Sequence, residues 1–181
     1  MSTATTARRR SALPAELRSE QITAITDSRE QYPLDLAPLR TVTATLTTGD
    51  YSVVGLESIV AIERKELGDL LSCVGVERER FEREIQRLLA YPVRAIVVES
   101  TWAVLESGGW RPHITAAAAV GSCIGWIAAG VPIVMAGDHA RAGRFVARLL
   151  CTAARREWRK CRTLAAGIIA DEGDNEGGPT T

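Results

Sequence analysis

Apolar residues recur along this chain with two different periods, and the switches between them lay out its elements. Residues 21–30, QITAITDSRE, are apolar at Ile22 and Ile25 and then run into Asp27, Arg29 and Glu30, which predicts a first strand ending in charge. Residues 41–48, TVTATLTT, alternate and are rich in Thr and Val, predicting a second strand that ends at Gly49-Asp50. SIVAIE, residues 58–63, predicts a third, and it passes into Glu63, Arg64, Lys65 and Glu66 with no turn residue between. The period then changes. Phe81, Ile85, Leu88 and Leu89 recur at helical spacing beneath a charged outer face. VRAIVVES is apolar without interruption, as a central strand covered on both faces would be. An apolar helix follows from about Thr115 to Ala129, then a short strand at Ile133–Met135, then a basic helix from about His139 to Leu164.

Strands therefore alternate with helices after an opening meander, which predicts an α/β three-layer sandwich with a central mixed sheet flanked by helices. Residues 1–20 read as a flexible basic arm, 21–165 as the folded domain and 166–181 as a disordered acidic tail. The stretch Ile114–Gly137 carries no charge and is as long as a membrane span. It is rich in Ala and Gly, and Gly130-Val131-Pro132 divides it, so it reads as a buried helix, a turn and a strand, with no membrane partner.

Composition narrows the function. Lys+Arg and Asp+Glu balance at 22 each, so there is no global field for a polyanion and any nucleic-acid contact must be local. Positive charge is concentrated instead. Arg141, Arg144, Arg148, Arg155, Arg156, Arg159, Lys160 and Arg162 face a single Glu157 in the last helix, a run that fits either phosphate contact or a solvated face. Cys73, Cys123, Cys151 and Cys161 lack paired spacing, which excludes a zinc motif and suggests small hydrophobes in a reducing, cytoplasmic setting. Trp102 and Trp110 flank a predicted loop and read as anchors against the core, with base stacking as the alternative.

The strand that ends in charge holds the candidate chemistry. Side chains alternate along a strand, so Glu63 and Lys65 share one face and Arg64 takes the other. Asp50, at the end of the preceding predicted strand, can join them at one sheet edge, and Asp27 can do the same. Carboxylates beside a lysine suit phosphodiester hydrolysis: the acids offer hard oxygen ligands to Mg²⁺ or Mn²⁺, such an ion polarises a phosphoryl oxygen, and the lysine stabilises developing negative charge. An exposed ion pair at a strand end would carry the same residue types.

The segment GDYSVVGLESIVAIERKELGD resembles the GD…ERK-x3-D signature of the XPF-type structure-specific endonuclease domain, a branch of the PD-(D/E)XK nuclease superfamily. Asp27-Ser28-Arg29-Glu30 resembles its upstream D-x-R-E, Arg80-Phe81 its arginine-aromatic pair, and residues 114–138 its helix, Gly-x-Pro turn and strand. The resemblance implies a restriction-endonuclease-like fold and a divalent-metal-dependent DNA endonuclease acting on branched substrates such as forks and flaps. Asp50, Glu63 and the Arg64 carbonyl would be ligands of Mg²⁺ or Mn²⁺, Lys65 the catalytic lysine, and Asp27, Arg29, Arg64 and Asp69 further site residues, with Asp27 near a second metal. It also implies a homodimer or heterodimer through the later helices. A non-catalytic DNA-binding or heterodimer subunit, and a resolvase, restriction-type or RNA-acting nuclease on the same fold, are the rival expectations.

Overall fold

The computed structural model describes residues 14–110 and 113–171. Its centre is a six-stranded mixed sheet in the order β2-β1-β3-β4-β5-β6, built from β1 (Thr23–Asp27), β2 (Arg40–Ala44), β3 (Tyr51–Val53), β4 (Val60–Lys65), β5 (Val93–Val98) and β6 (Ile133–Met135). β3 is antiparallel to both neighbours; the remaining pairs are parallel. Helices α1 (Leu67–Val74), α2 (Arg78–Leu89), α3 (Trp102–Ser107) and α4 (Ala116–Ala128) lie between strands, and α5 (His139–Asp171) closes the domain.

The strand period sorts the core into two layers. Val60, Ile62, Ala95 and Val97 face Ala142, Val146 and Leu150 of α5, whereas Ala61, Ile96 and Val98 face Phe81, Ile85, Leu88, Ala119 and Trp126 on the other side. Burying each large aliphatic side chain contributes ~1.5–3 kcal/mol, so a one-residue slip in β4 would forfeit several such contributions. Phe81 and Trp126 meet edge to face at a centroid distance of 4.9 Å, locking α2 onto α4. Cys73, Cys123 and Cys151 are buried free thiols, as expected of small hydrophobes, while Cys161 is exposed. No helix among the described residues is long and apolar enough to cross a membrane.

Several expectations are corrected. The single strand read over 41–50 is two elements: β2, an exposed edge strand parallel to β1, and the three-residue β3, with Asp50 just before β3 rather than at the end of a strand. The parallel β1–β2 pair means that the opening is not a meander. The tryptophan-flanked loop begins as α3, whose N-terminus is capped by the Thr101 hydroxyl accepting from the Val104 N–H. Trp102 and Trp110 pack against the core as anchors, and Trp110 Nε1 donates to the Val104 carbonyl at 2.9 Å. Residues 166–171 extend α5 instead of beginning a tail, because one glycine at 167 costs only ~1 kcal/mol relative to alanine and Ala, Leu and Ile surround it. The arm is also shorter than expected. Residues 14–21 are docked on α5, where Trp158 Nε1 and the guanidiniums of Arg155 and Arg162 donate to the carbonyls of Pro14, Leu17 and Ala15. The expectations for residues 1–13 and 172–181 lie outside the described residues.

Candidate active site

β3 starts where β4 is about to end, and that offset creates the site. Gly49 has φ +78°, and a Cβ there would stand 2.9 Å from the Ile62 carbonyl oxygen, so only glycine lets the chain turn in this close. The turn seats the Asp50 N–H on the Ile62 carbonyl at 2.8 Å, and the Asp27 N–H on the Asp50 carbonyl at 2.8 Å. Because β3 has not yet begun, Arg64 lacks a ladder partner on that side. The Asp50 carboxylate takes its place, accepting from the Arg64 N–H through Oδ2 at 2.7 Å. Among the described residues no hydrogen bond reaches the Arg64 carbonyl or Asp50 Oδ1.

Glu63 and Lys65 stand beside this carboxylate on the α1–α2–α4 face, in a direct ion pair between Lys65 Nζ and Glu63 Oε1. Lys65 Nζ also lies 5.4 Å from the centroid of the Phe81 ring. Glu63 is 3% exposed, yet its second oxygen has no partner among the described residues. Every fully enclosed side-chain nitrogen or oxygen among the described residues is satisfied, so the free oxygens of Asp50 and Glu63 open toward solvent.

Burial pushes the Asp50 carboxyl up to about 6, against the Arg64 N–H and Lys65, with Glu30 and Glu84 adding to the rise. Glu63 is pushed up further, by burial first and then by the charge of Asp50, with Lys65 opposing. Lys65 moves the other way from its burial: Glu63, Glu84 and Asp50 hold it protonated. The Lys65–Glu63 contact argues for an ionised pair and the upward shifts for a neutral acid. Glu63 thus sits between two pulls, burial and the Asp50 charge favouring its neutral form and the Lys65 ammonium its charged form.

Asp27 is different. Arg29 Nε donates to Oδ1 at 2.7 Å and Arg29 NH2 to Oδ2 at 3.0 Å, and the N–H groups of Arg29 and Leu46 add 2.9 Å and 2.6 Å bonds. The Arg29 guanidinium holds the carboxyl down at about 2 despite its burial. With both oxygens engaged, Asp27 is a structural ion pair rather than an open metal ligand. Arg29 itself is 69% exposed and keeps NH1 free among the described residues.

Arg64 points to the α5 face, as the strand period requires. Its Nε donates to Glu99 at 2.6 Å, its NH2 to Glu66 at 2.8 Å and its NH1 to Glu30 at 3.3 Å. Burial opposes its charge, and Glu99 foremost, with Glu66 and Glu30, outweighs burial. Its guanidinium is thus fully occupied, and its contribution to the edge is its main chain. Asp69 lies in the first turn of α1, exposed and without a hydrogen bond to the other site residues. The structure adds Glu30, Glu84 and Glu99, which come from a loop, a helix and a strand end far apart in sequence.

The donor set fits a hard divalent ion in part. Asp50 Oδ1, the second Glu63 oxygen and the Arg64 carbonyl are free oxygens at one edge, and raised carboxylate pKa values mark groups that a cation would relieve. No group of three or more His, Cys, Asp or Glu side chains is placed to hold a metal among the described residues.

A family model described as the ERCC4 domain matches residues 14–149. The chain belongs to the ERCC4 domain family. This ERCC4 domain resembles the solved structure of XPF from Aeropyrum pernix at 17% identity, covering 82% of this chain and 73% of that one with a TM-score of 0.58. A structure of XPF from Aeropyrum pernix in complex with DNA aligns with a TM-score of 0.60 at 17% identity, over 75% of this chain and 66% of that one. No curated protein matches this chain in sequence. The fold is that of an XPF-type nuclease domain, with the expected ERK segment in β4.

Proposed function

We propose that this ERCC4 domain is a divalent-metal-dependent DNA endonuclease that hydrolyses phosphodiester bonds in branched DNA. The observation that carries the reading is the pair of buried, solvent-reaching carboxylates Asp50 and Glu63 beside Lys65, at the strand end where the ERK segment lies. Mg²⁺ or Mn²⁺ bound there would supply Lewis acidity toward a phosphoryl oxygen. Asp50, Glu63 and the Arg64 carbonyl would hold the ion, with water completing the shell as Mg²⁺ prefers. Lys65, kept protonated by Glu63, offers an ammonium to the charge that develops on phosphorus oxygens. Arg29, exposed beside Asp27, presents its free NH1 to a neighbouring phosphate. The Arg64 cluster fixes the backbone on which the Asp50 carboxylate rests. The DNA bound to the second Aeropyrum pernix XPF structure supports the choice of substrate class.

Partnering through the later helices belongs to the same proposal. β6 is an edge strand with half-buried Ile133, Val134 and Met135, and Ile124, Ile127 and Phe145 are exposed on α4 and α5. A second chain would cover that edge.

One observation favours the non-catalytic subunit reading: Lys65 closes on Glu63 rather than leaving both open. Incubation of the purified protein with end-labelled fork, flap and plain duplex DNA separates the two. Cutting with Mg²⁺ or Mn²⁺ that is abolished by EDTA, Asp50→Ala and Lys65→Ala supports the nuclease. Binding without cutting by the wild type would sink it in favour of the subunit.

A further inference from the structure

The outward face of α5 carries an arginine ridge. Arg141, Arg144, Arg148, Arg155 and Arg159 follow at spacings of three, four, seven and four residues, so they stack on one side of the helix, and all are exposed. Arg141 to Arg159 spans ~27 Å at 1.5 Å per residue. Ala142, Val146, Leu150, Ala153 and Ala154 fill the opposite side and are buried. Glu157 is the sole carboxylate between Arg141 and Arg162, and it lies half-buried off the ridge, paired with Lys160.

α2 shows what a merely solvated charged face looks like in this protein. There Glu77, Arg78, Glu79, Arg80, Glu82, Arg83 and Glu84 interleave, and Arg78–Glu82 and Arg80–Glu77 are paired. On α5 the one acid between Arg141 and Arg162, Glu157, is taken up by Lys160, and like charges at these spacings destabilise a helix. The guanidiniums of Arg144, Arg148 and Arg156 have no hydrogen bond or ion pair among the described residues, and that of Arg159 donates only to the Arg155 carbonyl of its own helix, while Arg141 pairs with Asp138 and Arg155 donates to the Leu17 carbonyl and the Ser19 hydroxyl. Arginine predominates over lysine, which suits paired N–H donation to phosphate oxygens. The ridge starts at the site edge, since His139 in the first turn bonds Glu99, which holds Arg64. Its far half, from Arg155 onward, lies beyond the residues matched by the family model.

We infer that this ridge is a phosphate track that holds the backbone of a DNA duplex leading to the candidate active site. It rests on the reading of the domain as DNA-acting, and it assigns affinity to a surface separate from Asp50, Glu63 and Lys65. The length of the ridge approaches one duplex turn of ~34 Å. Each arginine that contacts a phosphate releases condensed counterions, giving a salt-dependent increment to binding.

Binding of a fluorescein-labelled fork, measured by anisotropy in EDTA from 50 to 250 mM salt, tests the ridge without cleavage. The Arg144→Gln/Arg148→Gln/Arg159→Gln variant should bind at least 10-fold more weakly at 100 mM salt and flatten the slope of log K against log salt by about 2–3. Replacement of the same three by lysine should keep most of the slope, whereas Arg83→Gln/Arg87→Gln on α2 should leave it unchanged. A wild-type slope in the glutamine variant, with an unaltered melting curve, would overturn the track and leave an acidic protein partner for the ridge. Cleavage by wild type with that result would sink the ridge alone, while binding with the expected loss but no cleavage would sink the nuclease reading alone.

Discussion

Asp27 ends β1 and Asp50 sits just before the adjacent β3, and a backbone hydrogen bond of 2.8 Å joins them, yet their carboxylates live in opposite electrostatic worlds. Asp27 is 2% exposed and fully paired, with its pKa lowered to about 2. Asp50 gains one main-chain hydrogen bond, keeps a free oxygen and has its pKa raised by burial, and Glu63 beside it is raised as well. Burial alone does not say what an acid is for. A carboxylate supplied with its counter-charge by the fold holds the fold together, and one left short of counter-charge is poised for a cation from outside.

Substitutions at the two aspartates should split activity from stability. Asp50→Asn or Lys65→Ala should lower single-turnover cleavage by ~10²–10⁴-fold, the usual scale for a group acting in the chemical step. In EDTA, Asp50→Asn should melt no lower than wild type, because it removes a charge that burial disfavours. Equal loss of melting temperature and activity in Asp50→Asn would show that this corner, too, is structural. Asp27→Ala should instead destabilise by ~2–4 kcal/mol, through the lost ion pair and the unsatisfied Leu46 and Arg29 N–H groups. Urea denaturation measures it, and a neutral result would remove the contrast. Gly49→Ala comes next, at ~1–3 kcal/mol, since the new Cβ meets the Ile62 carbonyl at a positive φ. Cleavage measured well below its melting temperature should still fall, because Asp50 is displaced.

The remaining test is on pH dependence. For Asp50 and Glu63 the folded state binds protons more tightly than the unfolded chain. Stability of the metal-free protein therefore falls as pH rises from the unfolded carboxylate range, ~4, through the raised folded values, by at most ~1.4 kcal/mol per proton per pH unit. Asp27 acts in the reverse sense: its contribution is present above ~4 and lost as pH falls toward about 2. Melting temperatures in EDTA across pH 4.5–8 should thus decline for wild type and flatten in Asp50→Asn. A rising wild-type curve would contradict the assignment.

The legible parts of this molecule were those with a sustained period. β4 and β5 could be read because Val60 to Lys65 and Val93 to Val98 repeat their pattern over enough residues, whereas the buried face of α5 is carried largely by small residues, Ala142, Val146, Ala147 and Ala154 around Leu150, while the larger Phe145 is exposed. β3 could not be read, since three residues are too few to show alternation, and its position beside β4 is what places Asp50. The ERK segment gave the face of Glu63 and Lys65 directly. The Arg64 cluster stayed hidden because Glu30, Glu66 and Glu99 converge only through the tertiary fold. Glu84 had a signal: it lies three residues after Phe81 and four before Leu88, on the inward side of α2. The pairing of Asp27 with Arg29 was open to a local reading too, as a two-residue neighbour at a strand end, but nothing in the sequence separates that arrangement from an open ligand.

The docking of residues 14–21 along α5 has a topological consequence. Ser19 and Cys151 lie in hydrogen-bonding range across 132 positions, and Trp158 reaches Pro14 across 144, so the domain is already nearly a ring. Joining the chain at that seam would demand little extra loop entropy, and an opening elsewhere on the surface would leave the same sheet to be assembled.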